Sequence, residues 1–212
     1  MKKIVLSGVV IFAIIFGVLI FFNGEGGIGK KDSEKTYLGF IMNGAKDDGG
    51  YGQAHYEGIM ALEDEMGVKV LCRENVPTDE TCKDTINELI EDGCSIIFCT
   101  SFEYGVYEKE IAQQHPDLYF YHATGTDSST NFASYFGRIY QMRYLAGMVA
   151  GLQTETDSIG YVAAFPISEV VRGINAFTLG VQRVNPEAVV HVEWTNSWTD
   201  GDAAADAARA EP

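Results

Sequence analysis

From Tyr37 onward, short apolar runs alternate with amphipathic stretches, and Gly, Pro or Asp marks most of the joints. Few architectures accept that pattern. Strands interleaved with helices build parallel sheets, because a parallel return needs a crossover and a helix supplies it. Ser95–Thr100 (SIIFCT) is apolar throughout, as expected of a parallel strand covered on both faces. The pattern predicts strands over Tyr37–Met42, Val68–Cys72, Ser95–Thr100 and Leu118–His122, with a short one near Asn131–Tyr135. Helices are predicted over about 53–66, 80–91, 105–114 and 138–152. Gly67 stops the first, Pro77-Thr78-Asp79 announces the second, and Pro116 follows the third. In the fourth, Tyr144, Leu145, Met148 and Val149 form an apolar stripe, while Ala146, Gly147, Ala150 and Gly151 permit close packing. A polar break at 154–158 precedes a strand (Ile159–Ala164), a helix (Glu169–Val184), a strand (Ala188–Trp194) and the start of a helix at Asp202. The fold class is α/β, with two doubly wound parallel-sheet lobes. The first spans 37–157. The second begins at 158 and is expected to be incomplete, since two strands do not make a doubly wound layer.

The segment before Tyr37 has a different character. Ile4 to Phe22 is a 19-residue run without charge, and Ser7 is its only polar side chain. That length suits a membrane-crossing helix. Lys2 and Lys3 precede it, which places the rest of the chain outside the cell. Residues 1–23 are therefore expected to be a membrane anchor or an export signal, and 24–36 a Gly-rich tether. Gly24–Lys30 imitates a phosphate-binding loop, but Lys31 stands where Ser or Thr is needed and no helix pattern follows. The chain of 212 residues carries 15 basic and 30 acidic side chains; beyond residue 23 the balance is 13 against 30. Such acidity argues against binding nucleic acid, whose phosphates are held by Lys and Arg. A content of 46% hydrophobic residues supports a packed core. Cys72, Cys82, Cys94 and Cys99 contain no C-x-x-C pair, so no metal site is expected. Cys72 and Cys82 are placed where they could bridge, and buried free thiols are the other reading.

Ligands of open α/β sheets bind at the carboxyl ends of the strands. Those ends supply Asp47, Asp48, Gly49, Gly50 and Tyr51; Ser101, Phe102 and Tyr104; His122, Thr124 and Gly125; and Phe165, Asn196, Ser197 and Trp198. Aromatic and neutral hydrogen-bonding groups dominate, which suits a flat, uncharged heteroaromatic ligand. Asp48 is read either as a helix-capping residue or as a ligand contact. Tyr51 and Trp198 follow turn-like stretches, which favours ligand contact over core packing. No nucleophile with a base beside it is visible: Ser101 lacks a G-x-S-x-G elbow and the four histidines are scattered, so no enzyme is expected.

Several stretches carry a resemblance. LGFIMNGAKDDGGYGQAHYEG (38–58), IIFCTSFEYG (96–105), YHATG (121–125), RYLAGMVAGLQTET (143–156), IGYVAAFPISEVVRGINAFTLGVQRVNP (159–186) and WTNSW (194–198) are together similar to the basic membrane protein, or PnrA-like, family of ABC-transporter substrate-binding proteins. The resemblance implies a type I periplasmic-binding-protein fold whose two lobes close by a hinge on a purine nucleoside or purine base. It implies delivery of the ligand to an ABC permease by a monomer that uses no cofactor. Members carry Trp in a G-D-x-G-W turn, where this chain has Asp48-Gly49-Gly50-Tyr51. Carried over, Tyr51 and Trp198 sandwich the base from opposite lobes, and Asp48 and Gly50 of that turn are ligand-binding residues as well. Ser101, Phe102, Thr124, Phe165 and Asn196 line it. The family's lipid-anchoring Cys is absent here, which suggests retention by the apolar N-terminal run. Members also continue for roughly a hundred further residues, about a lobe's worth, which are expected to add ligand contacts. A membrane-anchored sensor ectodomain is the alternative to transport.

Overall fold

The computed structural model describes residues 36–210. The apolar run Ile4–Phe22 and the tether that follows it lie outside the described residues. Among the described residues, no helix is long and apolar enough to cross a membrane. Five strands form the larger sheet: β1 (Tyr37–Ile41), β2 (Lys69–Arg73), β3 (Cys94–Cys99), β4 (Tyr119–Ala123) and β5 (Phe132–Tyr135). All neighbours are parallel, in the order β2-β1-β3-β4-β5. The chain leaves β1 toward one edge and then returns to β1's other side. Doubly wound sheets bind ligands at such a reversal of strand order, here the crevice beyond the ends of β1 and β3.

Side-chain alternation covers both faces of this sheet. Leu38, Phe40 and Met42 pack with Ile59 of helix α1 (Tyr51–Met66). Ile41, Ile97 and Cys99 point the other way and meet Ile86 and Leu89 of α2 (Cys82–Glu91) and Ile111 of α3 (Gly105–Gln114). A 3₁₀ turn over Phe102–Tyr104 joins β3 to α3; the sequence pattern gives no hint of it. Tyr104 is fully buried, and its hydroxyl donates to the Val76 carbonyl at 2.6 Å. That bond ties the β3 turn to the loop beyond β2. The four cysteines are free thiols, three of them buried, so the Cys72–Cys82 bridge does not form. Burial pushes Cys72 and Cys94 up to about 11 and Cys82 to about 12.

The second sheet has two parallel strands, β6 (Ser158–Ala163) and β7 (Val189–Trp194). Around it lie α4 (Ile139–Gln153), α5 (Ser168–Val184) and α6 (Gly201–Ala210). The main packing partner of α4 is α5. A Cβ on Gly147 would strike the Phe177 carbonyl, and one on Gly180 would strike the Tyr144 carbonyl. The two helices therefore cross with backbones in near contact, which only glycine allows there. This crossing buries Gly147 and Gly151 and half-buries Ala150, while Ala146 stays exposed. The apolar stripe expected to be buried is divided: Tyr144 and Met148 are half-buried, while Leu145 and Val149 are exposed.

Candidate functional site

A cleft of about 310 Å³ opens beyond the ends of β1 and β3 and reaches α4, α5 and the segment after β7. Its shape begins with Asp48. One carboxylate oxygen accepts from the Gly50 and Gln53 N–H groups at 2.8 and 2.9 Å, and the other from Gly52 at 2.8 Å. These are the N–H groups that a helix start leaves without partners. They hold the Asp48 carboxyl below its usual range, the Gln53 bond contributing most. Gly49 takes φ +69° to make the turn possible. With this cap in place α1 starts at Tyr51, two residues ahead of the sequence-based start near Gln53.

Tyr51 thereby sits on the first helical turn with its side chain in the cleft. Its hydroxyl donates to the Thr100 carbonyl at the end of β3, 2.6 Å away, and its ring lies 4.2 Å from that of His55. Burial raises the phenol above its ordinary range, and the carboxylates of Glu169 and Glu103 add to the shift. Tyr51 is thus a neutral, fixed ring.

Behind the loop that carries Ser101 and Phe102 stands His122, buried on β4. Its Nε2 lies 3.0 Å from both the Ser101 and Phe102 carbonyls. Two carbonyl partners require Nε2 to carry the proton. Burial lowers the His122 pKa, which keeps the ring neutral. A Cβ on Gly105 or Gly125 would collide with the His122 ring, so these glycines make room for the support. Thr124, also lining the cleft, holds φ +67°. For a β-branched residue that is a strained conformation. It is kept by bonds from its N–H to the Tyr135 carbonyl and from its hydroxyl to the Ala123 carbonyl.

Trp198 faces the cleft from the segment after β7 and packs on Phe165 with ring centroids 5.2 Å apart. Its indole Nε1–H donates to Glu103 at 2.7 Å, and the other oxygen of that carboxylate accepts from the Ser101 hydroxyl. Tyr51, Phe102 and Trp198 each remain about two-fifths exposed, at 41%, 40% and 40%. Exposed aromatic area of this kind around a cleft is surface for a ligand to cover.

Of the residues proposed from sequence, the structure brings Asp48, Tyr51, Ser101, Phe102, Thr124 and Trp198 to the cleft lining. Gly50 is the N-cap of α1, outside the lining. Phe165 reaches the site through Trp198. Asn196 is exposed in a left-handed turn (φ +53°), where its N–H donates to the Ala164 carbonyl. Sequence reasoning misses Asn43, Thr100, Phe136, Arg143, Tyr161 and Glu169, all of which line the cleft. Arg143 and Glu169 sit on helices, where a search of strand ends does not look. Burial raises the Glu169 pKa, and the charges of Arg143 and Arg172 oppose that rise. Among the described residues no cluster of side chains has the makeup of a metal site.

The fold is that of the periplasmic type of solute-binding protein. A solute-binding protein of an ABC transporter system from Aeropyrum pernix superposes with a TM-score of 0.68, covering 80% of this chain and 50% of that one at 18% identity. That is a likeness of fold. The profile of the family described as ABC transporter substrate-binding protein, PnrA-like, matches residues 35–210, and the chain belongs to that family. A purine-binding protein of Brucella abortus is 38% identical over 179 residues, or 84% of this chain and 51% of the relative. A protein of Haloferax volcanii named as an ABC transporter glucose-binding protein is 37% identical over 187 residues, or 88% and 47%. The chain thus spans about half the length of these curated relatives.

Proposed function

We propose that the chain binds a purine base or purine nucleoside outside the cytoplasm and passes it to an ABC permease. The observation that carries the proposal is the aromatic lining: Tyr51 and Phe102 on the larger sheet's side of the cleft, Trp198 on the smaller sheet's side. Aromatic faces bind flat heteroaromatic rings by stacking. The two relatives of near-equal identity carry different ligands in their names, so this lining, and not the level of similarity, favours the purine. A volume of about 310 Å³ lies at the small end of ordinary ligand clefts and fits a single purine better than an extended cofactor.

In this proposal the layer of β1–β5 and the layer of β6 and β7 with α4 and α5 move further toward each other on the ligand by a hinge motion. Held at the membrane through Ile4–Phe22, the chain presents the closed form to the permease. A thermal-shift and calorimetric series tests it with adenine, adenosine, guanosine, riboflavin and glucose, since a ligand of the native state raises the melting temperature by mass action. Stabilisation by a purine compound and none by glucose supports the proposal. Stabilisation by glucose alone overturns it.

A further inference from the structure

Glu103 is one residue that neither lines the cleft nor belongs to the core, yet it bonds to residues on both sides of the cleft. It lies in the 3₁₀ turn after β3. One carboxylate oxygen accepts from the Ser101 hydroxyl two residues earlier; the other accepts from the Trp198 indole, 95 residues later, at 2.7 Å. An indole N–H is a donor only, and a carboxylate is acceptor-only. The pair is therefore a charge-assisted bond, stronger than a neutral one. We propose that Glu103 is a latch: it holds the segment after β7 against the turn after β3 and so fixes the plane of Trp198 before any ligand arrives.

The geometry supports this in three ways. First, Trp198 is pinned at two points, its Nε1 on Glu103 and its ring against Phe165, and two contacts of different kind define a ring's plane where one would leave it free to swing. Second, the Glu103 end is itself anchored. Tyr104, the next residue, is fully buried, and its hydroxyl is bonded to the Val76 carbonyl. The carbonyls of Ser101 and Phe102 are held by His122. The carboxylate is thus presented by a rigid turn. Third, Trp198 is separated from the core of its own layer by exposed and half-buried residues, Thr195 to Ser197. Its placement against the cleft consequently depends on the partner across it.

The latch deepens the purine-binding proposal, because a pre-set aromatic face lowers the ordering cost of binding, but its first test needs no ligand. The chain has two tryptophans, Trp194 and Trp198, so 15N-tryptophan labelling of the 212-residue chain gives two indole N–H signals, and Trp194→Phe assigns them. The Trp198 indole proton is expected to exchange with solvent about tenfold or more slowly than the Trp194 proton, as a bond to a charged acceptor implies. Glu103→Ala is expected to abolish that protection. Glu103→Gln keeps an acceptor of the same shape and should restore part of it. An unchanged thermal melt shows that the variants fold. Equal exchange of the two indoles in the unaltered chain, or protection that survives Glu103→Ala, overturns the latch. In a second arm with adenosine and adenine as probes, Glu103→Ala and Trp198→Phe should each speed dissociation about tenfold and should not add to each other. Additive effects overturn the latch. Failure of both probes to bind the unaltered chain overturns the purine proposal and leaves the exchange result to decide the latch.

Discussion

At the scale of single residues, the candidate site separates groups that meet a ligand from groups that hold those groups still. In the proposed function Tyr51 and Trp198 belong to the first kind. Tyr51→Ala and Trp198→Ala are each expected to weaken binding of the stabilising purine by about 1–3 kcal/mol, as for loss of one base-stacking aromatic ring. Titration calorimetry measures it, and unchanged affinity in both variants would remove the aromatic argument. Tyr51→Phe keeps the ring and loses only the bond to the Thr100 carbonyl, so a smaller loss, about 1 kcal/mol, is expected. Much of this is legible in the sequence, because loops after strands are where an α/β sheet binds and aromatic residues are conspicuous there. Glu103 is not: inside SFEYG it stands among aromatic residues, and its partner lies 95 positions away.

Glu108 is a different residue-scale case. It is fully buried in α3, and neither carboxylate oxygen completes a hydrogen bond, although the Cys99 thiol and the Tyr121 amide approach it. Burial pushes its pKa well above the ordinary 4.5. The folded chain therefore holds a proton there that the unfolded chain has released above that value. Stability from this group is full below about pH 4.5 and falls as pH rises toward the folded pKa, by at most about 1.4 kcal/mol per pH unit. Glu108→Met removes the ionisable group at similar volume. The variant should be more stable than the parent at pH 8, with the difference shrinking toward pH 5. Denaturant melts at several pH values measure it, and a constant difference across that range would contradict the buried-proton account.

At the scale of elements, strands and helices are readable because burial imposes its period on the sequence, and their ends are readable where a Gly or Pro stops them. Where a side chain caps from outside the helix, the boundary moves. Asp48 draws α1 back to Tyr51 and so places the ring in the cleft. Asp48→Ala should cost about 1 kcal/mol of stability as a lost cap and should weaken ligand binding with it. Below about pH 3.8 the parent should approach the variant, since the lowered Asp48 pKa means that stability present above its ordinary value is lost as pH falls through the folded one. The α4–α5 crossing is readable only in part. Small residues at 146, 147, 150 and 151 announce close packing, but the partner helix comes later in the chain, and the partner decides which face is buried. Gly180→Val would drive a branched side chain into the Tyr144 carbonyl. Separation of the helices follows, with a loss of about 1–3 kcal/mol, as for overpacking, read from the denaturation midpoint.

At the scale of the whole molecule, the two layers differ in completeness. The larger sheet is covered on both faces, and its two clusters hold most of the buried apolar side chains. The smaller layer has two strands and an α4–α5 pair whose outer surface is apolar and open: Leu145 is 51% exposed, Val149 61%, Leu152 66% and Leu179 60%. Two strands with one helix layer are marginal by themselves, and grouped apolar side chains in water drive association. The smaller layer should therefore melt first and control the solution behaviour of the described region. Leu145→Lys and Leu152→Lys together place two charges on that open face without touching the glycine crossing or the cleft. Sedimentation at increasing concentration should show the parent associating and the double variant staying monomeric. Hydrogen exchange should give the β1, β3 and β4 amides the same protection in both, because the charges lie on the other layer. If the double variant associates as the parent does, the contact lies elsewhere. If the β1 and β3 amides lose protection, the two layers are energetically coupled, and the larger sheet does not stand on its own core.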